Sequence, residues 1–234
     1  GSHKQLRERL LSFFGRANYG YNDLYMATLS YRREGSSRFG KNNRWGNFWS
    51  VSAGWRISKE KFMQNVTFIN DLKLRVGYGV TGNNDFGNGY TVRTYKSNDL
   101  WPTNGIWQPG YGSTRNINPD LKWEEKKEFD VGLDFSLFGN RIYGKFDYYH
   151  RRVDDMLFEV PASMPPMVYP TIMKNVGTLT NTGWEAELSG NVFVGKKFNW
   201  TSTIRASHST TRIKNLGDSE TYLYGDAFPQ SMGY

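Results

Sequence analysis

Arg33-Glu34-Gly35-Ser36-Ser37-Arg38-Phe39-Gly40 is a small, polar and basic stretch set between two aromatic-rich segments. Leu24 to Arg33 before it reads as a strand, and Phe48 to Ser58 after it reads as another. In the second, Trp49, Val51, Ala53, Trp55 and Ile57 share one face, and Ser50, Ser52, Gly54 and Arg56 the other. Residues 35–47 between them make a long, wet hairpin loop. The same grammar repeats along the chain.

Working outward, Lys4 to Tyr19 reads as the first strand, closed by the short turn Gly20-Tyr21-Asn22-Asp23. Lys59 to Asn70, carrying Phe62, Val66 and Ile69, reads as a short connector with a helical turn. Asp71 to Thr81 alternates most cleanly, with Leu72, Leu74, Val76, Tyr78 and Val80 against Lys73, Arg75, Gly77, Gly79 and Thr81. A long loop, residues 82–121, follows. Lys122 to Leu137 and Arg141 to Asp155 pair across Phe138-Gly139-Asn140, a hairpin signal. Residues 156–175 hold Pro161, Pro165, Pro166 and Pro170, which exclude a central strand. Gly177 to Val194 and Phe198 to Lys214 pair across Gly195-Lys196-Lys197, and another loop opens at Asn215.

The reading is therefore all-β: an antiparallel up-and-down meander of about eight long strands. Connections alternate short and long, with the long ones beginning at Gly35, Gly82, Met156 and Asn215. Outer-membrane barrels have this asymmetry of short periplasmic turns and long external loops. A soluble sandwich has no physical reason to keep every long loop at one end. Residues 122–137 alone would span about 50 Å, against about five or six residues for a common globular strand. Tyr19, Tyr21, Trp49, Phe138, Tyr143, Trp184 and Trp200 near strand ends fit interfacial aromatic girdles.

Composition agrees. Of 234 residues, 16% are aromatic and 25 are glycine, which suits pleated sheet and turns. The net charge of +8 is scattered, without the one-sided cluster that nucleic-acid binding requires. No cysteine is present, which excludes disulfides, thiolate zinc sites and cysteine nucleophiles. No apolar run is long enough for a transmembrane helix.

Catalytic motifs fail on context. Gly77-Tyr78-Gly79-Val80-Thr81-Gly82 matches G-x-G-x-x-G, but no helix or βαβ unit follows, and the glycines read as space inside a wall. His150 and His208 lie on separate strands with no carboxylate at metal-ligand spacing. Within Glu124-Glu125 and Asp154-Asp155 the two side chains point to opposite strand faces, while Glu185 and Glu187 share one and read as polar wall beside Arg and Lys. Asn65-Val66-Thr67 and Asn199-Trp200-Thr201 match the glycosylation pattern only as chance short motifs. No enzymatic activity and no cofactor are expected. The residues that invite a binding role are Tyr90, Tyr95, Trp101, Trp107 and Tyr111 of the long loop, which could equally pack on one another or meet a ligand or partner.

Residues 33–40, Trp55-Arg56-Ile57-Ser58-Lys59-Glu60, and Leu72 to Asn83 resemble the SusC/RagA family of TonB-linked outer-membrane receptors. Asn118-Pro119-Asp120-Leu121-Lys122-Trp123-Glu124 resembles a loop-to-strand motif of TonB-dependent receptors, and Asn181-Thr182-Gly183-Trp184-Glu185 the next recurring strand motif. The resemblance implies a barrel of about 22 strands around a plug. It also implies glycan or peptide uptake driven by the TonB system, with a SusD-type surface lipoprotein as lid. On this reading Gly1-Ser2-His3 is a cloning remnant, and residues 4–234 are the C-terminal part of such a barrel, without plug, TonB box or N-terminal half. The alternatives are a stand-alone eight-stranded barrel or adhesin, and an all-β hydrolase.

Overall fold

The computed structural model describes residues 8–87, 89–195 and 197–215. In chain order the strands are β1 Leu10–Tyr21, β2 Tyr25–Ser36, β3 Trp45–Arg56, β4 Ile69–Asn83, β5 Tyr95–Thr103 and β6 Ile106–Ser113. They continue with β7 Glu124–Leu137, β8 Ile142–Asp154, β9 Leu157–Pro161, β10 Thr171–Asn175, β11 Thr178–Val194 and β12 Asn199–Asn215. Eight of them form one antiparallel sheet in the order β1-β2-β3-β4-β7-β8-β11-β12. This is the expected meander, with β1 and β12 at its two edges rather than paired to close a small barrel.

The connections differ from expectation in detail. The long loop of residues 82–121 carries a hairpin of its own, β5–β6, and residues 156–175 carry β9–β10. Pro161 ends β9 in that two-stranded piece, so no proline interrupts the main sheet there. Between β3 and β4 the helical connector is two 3-10 turns, Ile57–Lys59 and Lys61–Met63. β3 starts at Trp45, three residues before the expected Phe48, because Trp45, Gly46 and Asn47 still find partners on β2. Residues 1–3, the expected strand residues 4–7, Asn88, Lys196 and the expected last loop from 216 onward lie outside the described residues.

Most positive-φ positions of the short turns hold Asn, Asp or Gly, which tolerate left-handed backbone. Asn22 and Asp23 have φ of 48° and 57°, and Phe138, Gly139 and Asn140 are also positive. Asp23 then accepts hydrogen bonds from Lys59 (2.6 Å) and Arg56 (2.7 Å) across to the neighbouring connection. Its hydrogen bond to Lys59, helped by the positive charge of Arg56, holds the carboxyl below the ordinary value of 3.8. A depressed carboxylate contributes stability above its unfolded pKa and loses it as pH falls through the lower folded value. Asp23→Asn is therefore expected to flatten slightly the acid limb of stability between about pH 5 and about pH 2. Acid titrations that superimpose for the two proteins would remove the role.

The register defines two faces. Tyr19, Ala27, Ala53, Val76, Val131, Tyr148, Trp184 and His208 are successive cross-strand partners in one row. From that row the short turn lies two residues away on β2, at Tyr25, but nine away on β12, at Asn199. The turn line thus slips seven residues over six strand spacings, which corresponds to strands tilted by roughly 40°. Closing a sheet into a barrel requires a tilt of this size.

An apolar band runs across this face parallel to the turn line. It includes Leu29, Val51, Leu74, Leu133, Phe146 and Ile204. Many of its side chains are open, among them Leu29 at 55% and Ile204 at 70% exposed. A continuous exposed apolar surface across eight strands is far beyond what soluble monomers carry. Trp49 and Trp184 sit at the long-loop edge of the band, and Tyr21, Phe138 and Trp200 at its short-turn edge. Tyr143 corrects the expected girdle: it pairs with Ser136 and Ser189 on the other face, because Ile142 and Gly144 take the apolar positions.

The opposite face is polar and ion-paired. Arg75 reaches Asp134 (2.8 Å) and Asp147 (2.7 Å), joining β4, β7 and β8. Arg151 pairs with Glu128 (3.0 Å) and Arg205 with Glu187 (2.7 Å), so Glu187 does sit beside arginine as polar wall. Glycines give these side chains room. A Cβ at Gly77 would strike the Asp130 carboxylate, and one at Gly132 would strike Asp147 and approach Arg75 Nη2 to 2.6 Å. The G-x-G-x-x-G match is thus a wall in which long polar side chains lie flat.

Candidate functional site

The pairing of β3 with β4 ends at Ser50 and Gly79, although both strands run on toward the long loops. The gap is filled by Phe39, Phe48, Val80, Phe86, Leu121, Trp123 and Met173, a buried cluster drawn from the ends of β3 and β4 and from several separate connections. Trp123 lies 5.0 Å from the Phe39 ring and 5.3 Å from the Phe48 ring, and its Nε1–H donates to the Arg44 carbonyl (3.1 Å). Leu121 is fully buried. This core of the loop end is distinct from the apolar band of the sheet.

Asparagines fasten the loops around it. Asn116 Nδ2 donates to the carbonyls of Tyr169 (2.7 Å) and Thr171 (2.9 Å), and its Oδ1 accepts from the amides of Val168 and Tyr169. Asn118 donates to Met173 O (3.0 Å), and Asn175 donates to Lys122 O (2.8 Å) and Asp155 O (2.9 Å). Each such side chain gives a loop the backbone partners that a buried segment must find. The stretch from Arg33 to Gly40 docks here too: a Cβ at Gly40 would strike the Pro119 carbonyl, and Arg38 donates to Asn84 O (2.7 Å). Two stretches that are far apart in sequence, 33–40 and 118–124, interlock in the rim.

Of the five candidate aromatics, the four with described side chains divide between two places. Tyr90 packs against the rim core, donates to Glu159 (3.1 Å) and lies under Arg115, whose guanidinium carbon is 4.3 Å from the ring centre. Burial, first, and Glu159 both push its phenol above the ordinary value. Tyr95, Trp107 and Tyr111 project with the β5–β6 hairpin and are 60%, 65% and 74% exposed. Their register puts them on one face of it, with Leu100. Trp101 pairs through its backbone with Gln108; its side chain lies outside the described residues.

The signal for this hairpin was Asn104-Gly105, a two-residue turn with φ of 52° and 78°. The remaining rim contacts have no local signal, since each joins residues from different loops. Among the described residues, no cluster of His, Asp or Glu could hold a metal ion. His150 Nδ1 lies 2.7 Å from Thr182 Oγ1, on the apolar-band side of the sheet.

Comparison with known proteins fits this geometry. The family model for the TonB dependent receptor-like β-barrel matches residues 2–231. The TonB-dependent receptor SusC of Bacteroides thetaiotaomicron is 35% identical over 92% of this chain and 22% of its own length. TonB-dependent receptor P26 of Formosa agariphila is 37% identical over 89% of the chain and 21% of its own length. The RagAB peptide importer in its open-open state superimposes with a TM-score of 0.82 at 33% identity, over 90% of this chain and 22% of that one. Its closed-closed state gives 0.79.

Proposed function

The chain belongs to the TonB-dependent receptor-like β-barrel family, of the SusC/RagA type, and we infer from this that it supplies wall strands and outer rim to a nutrient importer of the bacterial outer membrane. The observation that carries the reading is the tilted eight-stranded wall, apolar on one face and ion-paired on the other, with the two hairpin-bearing connections, residues 84–123 and 155–177, at the same end. The apolar band faces lipid and the Arg75 face lines the lumen. Open sheet edges are costly in a bilayer, so β1 and β12 pair with further strands of a larger barrel. That barrel imports oligosaccharides or peptides, is energised through the TonB system, and works with a SusD-like surface lipoprotein. It is a transporter and performs no chemistry on its cargo.

Within that function the aromatics divide. Tyr90 is a strut of the rim. Tyr95, Trp107 and Tyr111 are the contacts offered to cargo or lipoprotein, because exposed rings on a projecting hairpin can stack on sugars or fill interface pockets. In the full-length receptor, the triple substitution of Tyr95, Trp107 and Tyr111 by alanine is expected to reduce growth on the imported nutrient, or co-purification of the lipoprotein, by about tenfold with unchanged thermal stability. Unchanged uptake and unchanged co-purification would sink this assignment.

A further inference from the structure

The apolar band ends abruptly on β8, β11 and β12. On β8 the step is from Tyr148 to His150, on β11 from Trp184 to Thr182, and on β12 from Ala206 to His208. Just beyond it these strands carry a groove of about 390 Å³. Its floor is the pair of small residues Thr180 and Thr182 on β11. Both walls belong to the described sheet: Tyr148 and His150 on β8, and His208, Thr210 and Arg212 on β12.

The charge in this zone is uneven. Lys127 is answered by Asp154 (3.1 Å) and Glu125 (3.5 Å), and Arg152 by Asp154 (2.7 Å). Arg212 is exposed and has no side-chain partner among the described residues, and Lys214 follows it on the same face. The groove therefore presents an unanswered cation at one end, while the Thr180 hydroxyl donates to the Arg212 carbonyl (3.3 Å) and the Thr182 hydroxyl lies on His150 Nδ1 (2.7 Å). At the other end Trp184, stacked on Phe146 at 6.3 Å, leads into the apolar band.

We propose that this groove, between Trp184 and Arg212, holds the phosphate headgroup of a lipid of the outer leaflet. An arginine fork matches phosphate oxygens bidentately, and a guanidinium is less strongly hydrated than an ammonium. Aromatic rings at headgroup level anchor the interface. A soluble anion would use only the polar end. The continuity with the apolar band assigns the site to a molecule with acyl chains. The proposal goes beyond import but rests on the band facing lipid.

The test uses the full-length receptor in detergent, with diphosphorylated lipid A as probe, the same glycolipid without phosphate as control, and inorganic phosphate as competitor. Arg212→Ala is expected to weaken binding of the phosphorylated lipid by about tenfold or more, and Arg212→Lys to restore part of it. Equal binding of the dephosphorylated glycolipid, or no effect of Arg212→Ala, overturns the proposal. Displacement of the lipid by equimolar inorganic phosphate assigns the groove to a soluble anion and also overturns it. A spin label at Ile204→Cys in reconstituted receptor separates the two levels. Free collision with oxygen supports the lipid-facing band, so a negative lipid result then sinks only the site. Loss of that accessibility sinks the orientation and the site together.

Discussion

Trp123→Ala in the full-length receptor is expected to cost the rim about 3–5 kcal/mol, the usual range for deleting a buried large aromatic. Trp123 is 6% exposed and touches both Phe39 and Phe48, so its removal empties the middle of the cluster. It also leaves the Arg44 carbonyl without the indole donor. The neighbours cannot close the gap cheaply. Phe48 already presses on Gly82, where a Cβ would strike its ring, and Gly40 already presses on the Pro119 carbonyl.

The cost should appear locally. The rim core is built from the long connections and the ends of β3 and β4, while the wall is built from strands of twelve or more residues each. Opening of one such unit need not unfold the rest. The expected result is accelerated proteolysis and amide exchange in residues 37–44, 84–94 and 114–123, with little change across β7, β8 and β11. Trp107→Ala is the matched control: it removes the same side chain from a position 65% exposed and should leave stability within about 0.5 kcal/mol. Equal protection of the rim loops in parent and Trp123→Ala would show that the cluster does not hold them.

The contrast between Trp107 and Trp123 also shows what the sequence could convey. Period-two alternation marked the eight long strands, because one face of each must be apolar and a one-residue slip would invert it. It also placed Trp49 and Trp184 on the apolar face and Arg75 and Glu187 on the other. The β5–β6 hairpin stayed hidden despite Asn104-Gly105, since Pro102, Pro109, Gly110 and Gly112 obscure the alternation in its strands. Trp123 reads like any exposed loop aromatic, and only the splaying of β3 from β4 makes a pocket for it. The groove at Arg212 has the same character. His150, Trp184 and His208 lie far apart in sequence, and the strand tilt brings them to one level.

That tilt sets the depth of each position, and depth decides the second large effect. On β7 the band runs Phe129, Val131, Leu133, Phe135, Leu137, so Leu133 lies at its middle, between Leu74 of β4 and Phe146 of β8. Leu133→Arg is expected to destabilise the full-length receptor by about 2–4 kcal/mol, since an arginine there sits at the bilayer midplane. Phe129→Arg, at the long-loop edge, can extend its head toward Lys127 and the interface, and its charge should cost only about 0–1 kcal/mol beyond the lost ring. Asp134 is the immediate neighbour of Leu133 but points the other way, onto Arg75 (2.8 Å). Asp134→Asn would weaken one arm of an ion pair that keeps its second carboxylate, Asp147, and should cost less than Leu133→Arg. Unfolding titrations of the three variants in lipid vesicles read the order directly. If Leu133→Arg cost no more than Asp134→Asn, the band could not be facing hydrocarbon, and the two faces of the wall would have to be exchanged.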